Sequence, residues 1–105
     1  MVSISNISAP RSTRCGSPVT ITVGVDWIGQ GSRRVQVCLR VAGVCTLDCD
    51  GGNCQTKRGD SPLQFDFRGS FECPSSADIA VHVTAEDLTQ GGNGDADDSN
   101  VHVDC

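Results

Sequence analysis

Seven cysteines in a chain of 105 residues carry most of its potential chemistry. They are either metal ligands or disulfide partners, and spacing separates the two. Zinc sites need paired short spacings, typically Cys-x2-Cys repeated or combined with His-x3-5-His. Here the run is Cys38-x6-Cys45-x3-Cys49-x4-Cys54, with Cys15, Cys73 and Cys105 isolated. A four-thiolate site over Cys38, Cys45, Cys49 and Cys54 would have unusual spacing, so structural disulfides are expected. This cysteine density is typical of small secreted domains in an oxidising compartment. An odd number leaves one sulfur over, and Cys105 is the expected intermolecular or free thiol.

Three other groups of residues have metal- or ligand-binding character. Asn93-Gly94-Asp95-Ala96-Asp97-Asp98-Ser99-Asn100 offers oxygen donors at alternate positions, as calcium loops do. Asn93, Asp95, Asp97 and Asp98 are its candidate ligands, although no Gly occupies the sixth place and no Glu closes the loop. A solvated acidic turn explains the same residues. His82 and His102 each lie between two valines. Placed opposite each other on adjacent strands, with Cys38 nearby, they could hold copper or zinc. Arg33 and Arg34 form a basic pair near the acidic 87–99 stretch, either as a surface ion pair or as the frame of a polar binding site. The motifs of serine hydrolases, phosphate loops and zinc proteases are all missing, so no catalytic residue is assigned and a non-enzymatic protein is expected.

The elements that must position these groups are strands. Val19, Ile21, Val23, Val25 and Trp27 keep period two over nine residues, with polar residues and glycine between them. Val35–Val41, Leu63–Phe67 and Ile79–Val83 alternate in the same way, Val2 to Ile7 does so weakly, and Val101 and Val103 close the chain. Helical spacing is scarce. Six or seven short strands with Pro and Gly punctuation read as one antiparallel β-sandwich over 1–105, with a closed barrel as the alternative. Residues 42–60 read as a Cys/Gly-rich insertion and 86–100 as a long Gly/Asp loop. The core should hold Val23, Val25, Trp27, Val37, Leu39, Phe65, Val81 and Val83.

Ile7-Ser8-Ala9-Pro10, followed by Cys15-Gly16-Ser17-Pro18-Val19-Thr20-Ile21-Thr22-Val23-Gly24-Val25, resembles the opening of a CARDB domain. Ala77–Val83 and the Asp/Asn-rich stretch after it are also similar to that family, the cell-adhesion-related domain of bacterial and archaeal surface proteins. The resemblance covers about half the chain and implies an immunoglobulin-like sandwich of about seven strands at a cell surface. The family mostly lacks cysteines.

Sandwich topology suggests a disulfide framework. The strands starting near Val19 and Ile79 should run parallel in opposite sheets, placing Cys15 and Cys73 at one end, where their bond would staple the sheets. Cys38 to Cys54 would then pair internally, with Cys38–Cys49 and Cys45–Cys54 preferred. The last strand should finish at the same end as Cys15 and Cys73, so Cys105 competes for a place there.

Composition narrows the function. Net charge is −5, which gives no footprint for nucleic acid or anionic lipid, and no apolar run is long enough for a membrane helix. Residues 1–7 lack the features of a secretory signal. A mature chain, an excised domain or a protein exported without a signal peptide is therefore expected. The expected function is an extracellular structural or adhesive module that binds copies of itself or neighbouring surface proteins, as in a filament or surface layer. A small carbohydrate-binding module and a virion decoration or fibre protein are the alternatives. No cofactor is required, and calcium is the candidate ion.

Overall fold

The computed structural model describes residues 2–89 and 93–105. Their strands are β1 (Val2–Ser8), β2 (Ser12–Arg14), β3 (Val19–Trp27), β4 (Arg33–Ala42), β5 (Thr46–Cys49), β6 (Cys54–Gly59), β7 (Leu63–Glu72), β8 (Ala77–Asp87) and β9 (Asn93–Asp104). They form two sheets, ordered β1-β3-β7-β5 and β2-β9-β8-β4-β6. Neighbours are antiparallel except β2, which runs parallel to β9.

Alternation becomes burial as expected. In β3 the side chains of Val19, Ile21, Val23, Val25 and Trp27 are buried, while Thr20 and Asp26 are exposed. Gly24 breaks the phase because β1 bulges over it between Ile4 and Asn6, where a Cβ would collide with the Asn6 side chain. Phe65, Phe67 and Phe71 of β7 share one core with Val35, Val37, Val81, Val83 and Val101 of the other sheet. Every residue expected in the core is buried.

The two stretches read as loops contain strands. Residues 42–60 contribute β5 and β6. β6 lies at a sheet margin, and its positions opposite buried Val35 and Val37 are Lys57 and Gln55. These polar side chains hide the strand from a search for apolar alternation. They also cap the margin of the opposite sheet: Gln55 Nε2 donates to the Asp66 carbonyl at 2.6 Å, and Lys57 Nζ donates to that of Gln64 at 2.6 Å. The Asp50 N–H donates to the Arg68 carbonyl, so three exposed acceptors of β7 are satisfied without another strand. Residues 93–100 form the first part of β9, paired along β8. Asp95 and Asp97 share the inward alternation of Val101 and Val103 but lie beyond the covered core, and both are exposed. Asp95 Oδ2 accepts the Ile4 N–H at 2.9 Å, joining β9 to the margin of the other sheet.

The disulfides are Cys15–Cys105, Cys38–Cys54 and Cys45–Cys73. This corrects the expected pairs Cys15–Cys73, Cys38–Cys49 and Cys45–Cys54, and Cys105 is not a free thiol. Lateral register explains the observed connectivity. Arg14 pairs with Asp104, so the next residues, Cys15 and Cys105, meet on parallel strands with Cα atoms 5.1 Å apart. Thr46 pairs with Glu72, which sets Cys45 beside Cys73. Cys38 and Cys54 are direct cross-strand partners. Each bond therefore fastens a short marginal strand, β2, β5 or β6, within its own sheet. None of them crosses between the sheets.

Candidate functional site

Cys15, Cys45, Cys73 and Cys105 gather where β2, β9, β5 and β7 meet. The sulfurs of Cys15, Cys73 and Cys105 lie within 4.8 Å of one another, although they belong to two different disulfides. Cys105 is exposed, Cys15 and Cys73 are half-buried, and Cys45 is buried. Cys49 is the free cysteine. Burial pushes its thiol pKa up, and the neighbouring carboxylates of Asp48 and Asp50 add to the shift, so its reactive thiolate is disfavoured. It lines an open groove with Pro18, Asp48 and Arg68.

The outward face of the five-stranded sheet carries the histidines, but they do not meet. His82 stands opposite Asp98, and His102 opposite Asp78. The expected His–His pair is therefore replaced by two His–Asp pairs, and Cys38 is held by Cys54. His82 Nδ1 lies 2.6 Å from Asp98. His102 lies between two carboxylates, Nδ1 at 2.6 Å from Asp78 and Nε2 at 2.9 Å from Asp104. A neutral imidazole can donate to only one of them, whereas the imidazolium donates to both. The hydrogen bond to Asp78, then that to Asp104, raises the His102 pKa above its ordinary 6.5.

This shift gives a signed pH dependence. The stabilisation is complete below about pH 6.5 and is lost as pH rises through the raised folded-state value. His102→Gln should lower the melting temperature at about pH 6 and leave it nearly unchanged at about pH 9. Equal losses at both pH values would contradict this assignment.

Arg33 has a structural partner. Its Nη1 donates to Asp87 Oδ2 at 2.7 Å, and Asp87 is fully buried. The second Asp87 oxygen accepts the Thr89 N–H at 2.9 Å. Arg34 leaves its side chain exposed, while its N–H donates to Thr89 Oγ1. The basic pair thus divides into one residue used by the fold and one presented to solvent. Asp87→Ala should cost about 2–3 kcal/mol by stranding the Arg33 charge, measured by urea unfolding. A loss below about 0.5 kcal/mol, the range of ordinary surface substitutions, would contradict that role.

The candidate calcium ligands are divided by the strand. Asp95 and Asp97 follow one face of β9, and Asp98 follows the other, where it meets His82. The Asn93 side chain lies outside the described residues. Asp78, Asp87 and Asp104 were missed as partners of the basic residues. Their only sequence signal was the alternation that places Asp78 and Asp104 on the histidine face.

No family model matches the sequence, and no curated protein matches it. Solved structures share the fold. Native alpha-2-macroglobulin from Escherichia coli, in the crystal structure spanning domain MG7 to the C-terminus, matches 98% of this chain with TM-score 0.69 and 15% identity. The cryo-EM reconstruction of the native E. coli protein matches 97% with TM-score 0.67 and 15% identity. This chain spans only 16% and 6% of those two chains. A conjugative transposon lipoprotein from Bacteroides eggerthii matches 95% of this chain and 93% of its own, with TM-score 0.56 and 16% identity. At such identities the likeness is one of architecture. With its two packed sheets and lateral disulfides, the chain is an immunoglobulin-like β-sandwich.

Proposed function

We propose that this chain is a non-enzymatic structural or adhesive module working outside the cytoplasm. It docks on copies of itself or on neighbouring surface proteins through the outer face of the five-stranded sheet. The observation that carries this reading is the charge pattern of that face. Arg34, Arg40 and Arg58 are exposed on the β4–β6 side. Asp78, Glu86, Asp98 and Asp104 are exposed on the β8–β9 side. Arg34 and Arg58 are direct cross-strand neighbours, an unfavourable like-charge pairing that an acidic partner would relieve. The acidic half of a second copy supplies such a partner.

Three disulfides support an oxidising setting. The CARDB-like opening fits a surface protein. The carbohydrate-binding alternative is less well supported, because Trp27, Phe65, Phe67 and Phe71 are all buried and leave no ring for stacking on sugar.

Light-scattering mass measurement tests the proposal. Dimers or larger species are expected at low ionic strength. They should dissociate in about 1 M salt, where the screening length falls to about 3 Å. Arg58→Glu should shift association to higher protein concentration. A monomer at high micromolar concentration in low salt would contradict self-association.

A further inference from the structure

We propose that the sulfur cluster of Cys15, Cys73 and Cys105 is a thiol–disulfide exchange site. It accepts an incoming thiol at Cys105 and re-pairs Cys15 with Cys73. Exchange starts at the sulfur that a thiolate can reach, and Cys105 is the exposed member of the cluster. An incoming thiolate attacks Cys105 Sγ, forms a mixed disulfide there and expels the Cys15 thiolate.

Proximity gives the second step. The released Cys15 sulfur starts within 4.8 Å of Cys73 Sγ, already bonded to Cys45. Attack on Cys73 forms Cys15–Cys73 and breaks Cys45–Cys73. The electron pair leaves on Cys45, which takes up a proton. One thiol enters and one thiol remains, so no oxidant or reductant is consumed. The attack is intramolecular and needs no second encounter. Cys45 is buried, so once released its sulfur lies out of reach of further thiols from solution.

Exchange changes how the sandwich is fastened. The link between β2 and β9 is lost, and a bond between the β2 and β7 ends replaces it. Cys105 becomes attached to the incoming thiol, either a small molecule or a cysteine of another protein. Cys38–Cys54 lies elsewhere, on the outer face, and remains intact.

The test uses the full chain carrying Cys49→Ser, which removes the resident free thiol. Reduced glutathione is added for low conversion, the reaction is stopped with acid, and free thiols are alkylated before peptide mapping. The expected product has glutathione on Cys105, a Cys15–Cys73 bond and alkylated Cys45. When Cys45→Ser and Cys73→Ser are added, the alkylated residue should become Cys15. Glutathione on Cys105 with Cys15 alkylated and Cys45–Cys73 intact would overturn the relay. Absence of an adduct at Cys105 would overturn the entry step.

Discussion

Replacing Cys15 and Cys105 with serine should lower the melting temperature by roughly 15–30 °C. These residues are 90 apart in sequence, the widest separation among the three bonds. Chain-entropy arguments assign about 4–5 kcal/mol to a loop of that length and about 3 kcal/mol to the Cys38–Cys54 loop. Local structure points the same way. β2 has three residues, none of them fully buried, and a parallel pairing to β9. Without the bond, little apolar contact holds that margin. Calorimetry of the three double-serine variants should rank the losses as Cys15–Cys105, then Cys45–Cys73, then Cys38–Cys54. The largest loss from the Cys38–Cys54 variant would contradict the ranking.

Phe65→Ala should cost about 3–5 kcal/mol. Phe65 is fully buried in β7, where β3 pairs with it on one side and the Gln55 and Lys57 side chains cap the carbonyls of its neighbours on the other, and Lys57 Nζ lies 5.3 Å from its ring centre. Removing the ring opens a cavity between the sheets and deprives the Lys57 ammonium of its aromatic face. Trp27→Phe should behave differently. Trp27 is 7% exposed, and its buried Nε1 meets no hydrogen-bond partner among the described residues. Phenylalanine would lose packing volume but also remove that unsatisfied donor, so a change within about 1 kcal/mol is expected. Urea unfolding of both variants measures the contrast. Equal losses would show that the indole N–H is satisfied or that Phe65 packs loosely.

The legible parts of the sequence were those where one face of a strand meets the core. β3 and β4 carry apolar residues at every second position, and both strands and their buried faces followed from that pattern. β6 and the first part of β9 were hidden for the opposite reason. Their inward positions lie at or beyond the core margin, where Gln55, Lys57, Asp95 and Asp97 serve as well as valine would. The β8–β9 register was hidden by parity. Pairing Ile79 or Val83 with Val101 leaves the valines on the same inward face, and only the first is observed. That difference separates His82 from His102 and gives each an aspartate.

Disulfide connectivity was the hardest feature to read. The meeting of Cys15, Cys73 and Cys105 at one end followed from strand direction. Choosing among their partners required knowing that β2 lies parallel to β9 and that β5 exists. Three-residue and four-residue strands have too few side chains to announce themselves.

Each disulfide fastens a marginal strand to its own sheet. Peptide mapping by mass spectrometry tests this most directly. The unreduced protein is denatured and alkylated, then cleaved without reduction at arginine, lysine and aspartate. The expected bonds are Cys15–Cys105, Cys38–Cys54 and Cys45–Cys73, with Cys49 as the single alkylated thiol after denaturation. A native Cys15–Cys73 bond, or a Cys49 found in any disulfide, would contradict the claim.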